Sequence, residues 1–350
     1  MRLSFRIIVP SLAEAYDHDH ILQCRTGAGK RRISGGLSPT LPRYLDDIPG
    51  VLVLTDRGAM FILRSRMDGE TFPRTTWRLI VDGAADGPTN MAIDEAIAQA
   101  VAQGIAPPTL RFYMWEPPCV SLGRHQRLSD IDLDMCAARG YDVVRRPTGG
   151  RAILHTDELT YSVAAPDDDP RVAGGVMDAY HRLSLGLVAG LRLLGIPADE
   201  APGTNRIGPN ASAACFEVPS AYEICVSGHK LMGSAQYRTG RVVLQHGTLP
   251  LWGDLTRVVD CLALPDESTR ARLREALRER ALTVELALGR SVSFAEAAQA
   301  MAEGFAQALN LHLKPGSLSS VEREIAARLR AQRYAHPEWI SRVGKSAGGK

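Results

Sequence analysis

Between residues 221 and 251 three strand-like runs follow one another with almost no chain between them: "AYEICV", "HKLMGSAQYR" and "RVVLQHGTLPL". They are joined at Ser227-Gly228 and Thr239-Gly240. Two-residue connections of this kind call for left-handed backbone and turn a chain straight back along itself. The stretch is therefore expected to be an antiparallel meander, and the rest of the chain has to extend that sheet or pack against it.

The flanking segments fit that frame. "WRLIVDG" reads as a strand, and "TLRFYMW" and "CVSLG" as two more around Glu116-Pro117-Pro118. "DVVRRP", "GRAILH" and "LTYSVAA" are strand-like runs separated by Gly or polar turns. Helical periodicity covers "PTNMAIDEAIAQAVAQG", with Ile93, Ile97 and Val101 on one stripe and Gly104 at its end. A short helix runs through Met135 and Ala138 to Gly140, and a long amphipathic one from about Val176 to Leu194. Beyond the meander the chain reads as mostly helical, and Ser293 with Glu296 and Ser319 with Glu322 have capping-box spacing. Strands clustered centrally with helices between and after them predict an α+β, or mixed α/β, domain.

Residues 1–74 differ. "RTGAGKRRISGGLSPTLPRY" is basic and rich in Gly, Ser and Pro, while "VLVLTDRGAMFILRS" has the pattern of a hairpin without an evident partner. The expectation is a poorly ordered or spurious extension over 1–74, with Met67 as a candidate start. A catalytic domain is expected over 75–290 and a helical segment packed on it over 291–350, its last residues disordered.

The chain has 350 residues and a formal net charge of +2, which argues against nucleic acid and membrane surfaces as partners but leaves room for an acidic protein. Its six cysteines are too few for a disulfide framework and show no zinc-site spacing, so no metal is expected. With no apolar run of spanning length or signal peptide, a reducing cytoplasm is the expected setting.

Three segments carry chemistry-bearing residues. In "RRPTGGRAILH" paired glycines after Pro147 permit a tight turn and close approach to a ligand, but the same residues suit a β-turn with Arg145 and Arg146 facing solvent. In "ACFEVPSAYEICVSGHKLMGSAQ", Lys230 lies fifteen positions after Cys215, and a strand and turn between them allow the two to meet. An ammonium beside a thiol favours the thiolate, the nucleophilic form, and stabilises a developing oxyanion. Taken alone, Cys215 reads better as a buried inert thiol than as a nucleophile. Cys225 reads as a packing residue, as do Cys119, Cys136 and Cys261 in apolar runs. In "LQHGTLPL", His246 is either an acid/base group or a hydrogen-bonding strut, and His229 reads as exposed and passive.

The blocks "RRPTGGRAILHTDELTYSV", "ACFEVPSAYEICVSGHKLMGSAQ" and "VVLQHGTLPL" stand in an order and spacing that resembles the lipoate–protein ligase and octanoyltransferase superfamily. Upstream "DGPTNMAIDEAI" and "TLRFYMWEPPCVSLGRHQ" and the tail "LSSVEREIAARLRAQRYAHPEWI" resemble it too, so the likeness runs from about Trp77 to Trp339. It is strongest to the LipM-type octanoyltransferases. Lipoate ligases carry an Arg-Asn-Asp type element where this chain has "CFEVPSAYE", and the other octanoyltransferase class carries a cysteine where this chain has Gln245.

The resemblance implies a biotin/lipoate ligase-like catalytic domain, a mixed sheet flanked by helices with a mostly helical C-terminal segment. It implies Cys215 as acyl-thioester nucleophile and Lys230 as the group that lowers its pKa and steadies the oxyanion. It further implies substrate contacts at Arg146, Gly149, Gly150, His155, Gly233, Ser234, Ala235 and His246. Octanoyl-acyl carrier protein would be the donor, with Arg145, Arg146 and Arg151 as candidates for docking it. A lipoyl domain, glycine cleavage H protein among them, would be the acceptor, and no ATP or metal cofactor is implied. The competing expectation is an ATP-dependent lipoate–protein ligase working through a lipoyl-adenylate.

Overall fold

The computed structural model describes residues 72–200 and 224–342, with five short strands in the first 71 residues. The chain divides into two units, Met1–Thr71 and Phe72–Lys350. In the first, Phe5–Ile8, Leu52–Thr55 and Met60–Ile62 form an antiparallel sheet with Leu52–Thr55 in the middle, so the hairpin expected within 51–65 has its partner near the N-terminus. Arg25–Thr26 pairs with Gly29–Lys30.

The second unit contains β1 (Thr75–Ala85), α1 (Gly87–Ala102), β2 (Thr109–Trp115), β3 (Cys119–Leu122), α2 (Leu133–Ala138), β4 (Asp142–Arg145), β5 (Ile153–His155) and β6 (Glu158–Pro166). There follow α3 (Val176–Leu193), β7 (Asp199–Glu200), β8 (Ile224–Val226), β9 (His229–Thr239), β10 (Val242–Pro250), α4 (Glu267–Arg280) and α5 (Val284–Leu288). The chain continues through α6 (Phe294–Ala308), β11 (Leu311–Pro315), α7 (Ser320–Leu329), a π-helical turn (Arg330–Tyr334) and α8 (Pro337–Ser341). An eight-stranded sheet has the order β7-β8-β9-β10-β6-β2-β1-β11. It is antiparallel from β7 to β2 and parallel where β1 lies between β2 and β11, hence mixed. A small second sheet has β3 between β5 and β4.

The meander forms at the expected turns. Ser227 and Gly228 have φ of 49° and 83°, and Gly240 has φ of 58°, the left-handed values that bring two strands back to back. Strand β6 shows how the sheet separates a core from a site. Its odd residues Leu159, Tyr161, Val163 and Ala165 enter the main hydrophobic core with α3 and α6. Its even residues Thr160 and Ser162 are polar yet buried, and they hydrogen-bond to groups on β2 and α1 on the opposite face. α1 is capped by Asp86, whose carboxylate accepts from Thr89 N at 2.7 Å, and Gly104 follows its end at φ 69°.

Helices α3 and α6 cross at glycines. A Cβ on Gly304 would stand 2.1 Å from the backbone N of Gly190, so only hydrogen fits there. Gly304→Ala is expected to cost about 3 kcal/mol by overpacking. In a unit of this size that lowers the thermal midpoint by roughly 6–12 °C, read by calorimetry.

The C-terminal elements are bolted to the start of the unit. Arg78 on β1 forms an ion pair with Glu322 on α7, Arg330 with Asp86, and Arg333 with Glu95. Ser319 and Glu322 complete a reciprocal capping box. At Ser293 only half the box forms: Glu296 N donates to Ser293 Oγ, while the Glu296 carboxylate pairs with Arg290. Spacing alone does not reveal an arginine that competes for the glutamate. Among the described residues no helix is long and apolar enough to cross a membrane.

Candidate functional site

A cleft enclosing about 440 Å³ of non-protein space, partly open to solvent, lies on the α1 face of the sheet. Its walls come from β2, β3, the turn before β5, β6, β9 and β10. Aromatic and small residues (Tyr113, Trp115, Gly233, Ala235, Gly247) make it largely apolar, with Ser121, Arg146, His155, Ser234 and His246 as polar points. An apolar slot with a few placed polar groups suits a ligand that is mostly hydrocarbon with one reactive end.

Two buried carboxylates organise these polar groups. Glu158, at the start of β6, accepts from His155 Nδ1 at 2.7 Å, Thr160 Oγ1 at 2.5 Å and Thr248 Oγ1 at 2.5 Å. Burial works to raise its pKa, but the His155 ring and the two hydroxyls outweigh that and hold the carboxyl below the usual range. His155 stacks on Trp115 with ring centroids 4.1 Å apart, and its Nε2 is 2.8 Å from Ser121 Oγ. Arg146 Nη1 donates to Ser121 Oγ at 3.0 Å. The Ser121 oxygen has two lone pairs, so it accepts from Arg146 and pairs with His155 Nε2 in the direction that the ring's tautomer sets.

Asp94, fully buried in the middle of α1, accepts from Arg111 Nη1, Tyr113 OH and Ser162 Oγ, each at 2.8 Å. His246 Nδ1 lies 3.4 Å from Asp94 Oδ2, the oxygen that Tyr113 also uses, and Thr148 Oγ1 is 2.7 Å from His246 Nε2. Burial would raise the Asp94 pKa, but the hydrogen bond from His246 and the charge of Arg111 hold it below the usual range. Burial pushes the His246 pKa down, which favours a neutral ring tying β10 to α1 and to the loop after β4.

The expected site residues fall into distinct places. Arg146, Gly150, His155, Gly233, Ser234, Ala235 and His246 line the one cleft. Ala235 is the register partner of His246. Gly150 has φ of 92°, a conformation that favours glycine. Gly149 stands behind the wall, its carbonyl accepting from Arg146 Nη2 at 2.8 Å. Lys230 is buried on β9, three residues before Gly233, and its carbonyl accepts from Leu282 N at 2.9 Å. Cys215 lies outside the described residues.

One expectation is overturned. Neither Arg145 nor Arg146 faces solvent: they are 1% and 3% exposed. Arg145 donates to the carbonyls of Gly123, Gln126 and Ile340, and Arg146 to those of Ser121, Gly149 and Arg151. Two guanidiniums committed to backbone carbonyls shape the loop and cannot serve as a docking surface for a carrier protein. Cys119, Cys136 and Cys261 are buried in the core as expected.

Sequence reasoning missed Asp94, Ser121, Glu158 and the threonines that join them. Weak signals were present. Asp94 interrupts the apolar stripe of "NMAIDEAI", and Glu158 lies three residues after His155 in "HTDE". The alternation in "LTYSV" puts hydroxyls at regular intervals on a strand otherwise apolar.

A sequence profile described as Lipoyl protein ligase A/B catalytic domain matches residues 86–306. Octanoyltransferase LipM of Kyrpidia tusciae is 45% identical over 269 residues, covering 75% of this chain and 98% of that protein. Octanoyltransferase LipM of Symbiobacterium thermophilum is 46% identical over 273 residues, covering 77% and 99%. Among solved structures, a bipartite lipoate protein ligase from Thermoplasma acidophilum, described with its E2 lipoyl domain, superposes with a TM-score of 0.66 at 24% identity. That match covers 79% of this chain and all of that one, and it speaks to fold alone. Lipoate-protein ligase A bound with ATP gives a TM-score of 0.64 at 25% identity, covering 77% and 100%.

Proposed function

The chain belongs to the lipoyl protein ligase A/B catalytic-domain family, and from that premise we propose that it is an octanoyltransferase of protein lipoylation. The observation that carries this is identity of 45–46% over nearly the whole length of two curated octanoyltransferases, against 25% to the ATP-bound ligase. The ATP-dependent ligase reading is not favoured.

In this reading the reaction has two steps. The Cys215 thiolate attacks the carbonyl carbon of octanoyl-acyl carrier protein. The carbonyl π pair moves to oxygen and returns as the carrier's C–S bond breaks, leaving octanoyl-Cys215 and the carrier thiolate, which takes a proton from solvent. Lys230 favours the thiolate and stabilises the oxyanion. The ε-amine of a lysine on a lipoyl domain, with glycine cleavage H protein as the first acceptor to test, then attacks the enzyme thioester; the C–S bond breaks, the Cys215 thiolate leaves and the nitrogen loses a proton to solvent, giving an amide. Converting a thioester to an amide is downhill, so neither ATP nor metal is needed. In this reading the apolar cleft takes the octanoyl tail.

The test is incubation with octanoyl-acyl carrier protein and a lipoyl domain, without nucleotide, followed by intact-mass measurement of both proteins. The expected result is an octanoyl adduct on the enzyme and then on the acceptor. No transfer under these conditions, with lipoate attachment appearing only when ATP is added, would reject the reading.

A further inference from the structure

The loop after β3 and the loop after β4 lock together beside the cleft. Arg124 N donates to the Thr148 carbonyl at 2.8 Å, and Arg145 Nη1 donates to the carbonyls of Gly123 at 2.8 Å and Gln126 at 2.7 Å. Gly123 packs so closely on the Gly150 carbonyl that a Cβ there would overlap it. Arg146 Nη2 holds the carbonyls of Gly149 and Arg151 at 2.8 and 2.7 Å. Gly150 is exposed and also lines the cleft, so this joint is part of the cleft's rim.

The rim carries positive charge that the protein does not answer. Arg124 and Arg127 are exposed, and Arg151 follows Gly150 directly. The Arg124 guanidinium lies over the Tyr237 ring at 5.1 Å. Among the described residues none of these three guanidiniums has a carboxylate partner. Arg145 beneath them is buried and donates to carbonyls, which accept hydrogen bonds but carry no charge. Arginines elsewhere on the surface do find carboxylates: Arg139 pairs with Asp260, Arg290 with Glu296 and Arg330 with Asp86.

Arg151 gives the sharper sign. Its Nη1 is buried and has no hydrogen-bond partner among the described residues. A guanidinium N–H withdrawn from water without an acceptor is destabilising, because its hydration is not replaced. A ligand that brings an anionic oxygen offsets that loss. Phosphate oxygens match guanidinium donors in both charge and spacing.

We propose that this rim binds the phosphate of the acyl donor's arm, with Arg151 as the contact and Arg124 and Arg127 as flanking charge. This rests on the octanoyltransferase reading above. An acyl carrier protein presents its acyl group on a phosphopantetheine arm. The thioester stands at one end of that arm and a phosphodiester, its one charged group, at the other. With the acyl chain in the apolar cleft, the charged end has to stay outside, and the cleft's rim is where the unanswered guanidiniums stand. The interlocked loops hold those guanidiniums in place before the donor arrives, which limits the ordering that binding requires.

The test is calorimetric binding of two unreactive thioethers, S-octyl-pantetheine and S-octyl-4′-phosphopantetheine, which differ only by the phosphate. The phosphorylated analogue is expected to bind the wild-type enzyme about 10-fold or more tightly than the other. In Arg151→Gln that preference is lost, while Arg290→Gln, which alters an exposed arginine paired with Glu296, keeps it. The comparison of two ligands on one preparation does not depend on how much of a variant folds. Equal affinity for the two analogues, failure of both to bind the wild type, or a preference that survives in Arg151→Gln would overturn the site. So would a defect of Arg151→Gln seen only with intact octanoyl-acyl carrier protein, which assigns the rim to the carrier's carboxylates instead. Transfer is measured in parallel: a wild-type enzyme that moves no octanoyl group from the carrier protein strikes the octanoyltransferase reading, whereas transfer without discrimination between the analogues strikes the phosphate site alone.

Discussion

Octanoyl transfer by the Cys215→Ala variant falls by roughly 10³-fold or more, the scale on which loss of a covalent nucleophile is felt. The enzyme's intact mass no longer gains an octanoyl group when it is mixed with octanoyl-acyl carrier protein. On the proposed two-step reading, a variant without the thiol can still bind an acyl chain, but binding alone does not split one difficult acyl transfer into two easier ones. Cys225 provides the internal control. It lies on β8 in register with Lys230 on β9, close enough in sequence to be mistaken for the nucleophile. Cys225→Ala retains both the adduct and the transfer. An adduct that persists in Cys215→Ala and disappears in Cys225→Ala would reverse the assignment.

Asp94→Ala loses about 3–5 kcal/mol of folding stability, the largest structural effect expected of a single change. The carboxylate is fully buried and gathers Arg111, Tyr113, Ser162 and His246 at one point. Its removal strands a buried guanidinium, which keeps only the partly exposed Asp82 as counter-charge, and leaves two hydroxyls without their acceptor. Denaturant unfolding measures the loss. A change under about 1 kcal/mol would mean that water or a neighbour can take over the carboxylate's role. The contrast is Arg330→Ala, which breaks a pair with Asp86 in which both partners are partly exposed, 46% and 29%. That pair is worth at most about 1 kcal/mol.

The elements most legible in the sequence are those whose signals are local. The left-handed turns at Ser227-Gly228 and Gly240, the alternation of β6 and the box at Ser319 are written within a few residues of where they act. The cleft wall was legible in part, because Gly150 and the Gly233–Ala235 run fall in recognisable blocks. What resisted reading depends on partners far away in sequence. Arg145 and Arg146 look like surface charge until the carbonyls that bury them are known, and for Arg145 these include Ile340. Ser121 is one serine in an apolar strand until β5 brings His155 to within 2.8 Å of it. Glu296 has the spacing of a capping residue, but Arg290 claims its carboxylate.

The pairing of β1 with β11 bears on how the protein is made. Thr75 on one strand is the register partner of Leu311 on the other, so the outer edge of β1 is satisfied only by chain synthesised much later. At about 5–20 residues per second a ribosome takes tens of seconds to deliver the missing strand. Throughout that interval the nascent chain carries an open strand edge, able to accept whatever other strand is near. Arg145 adds to the delay, since its last carbonyl partner belongs to residue 340. The main sheet is therefore complete only once residues 311–315 have been made, and a chain cut short before β11 keeps the edge of β1 open.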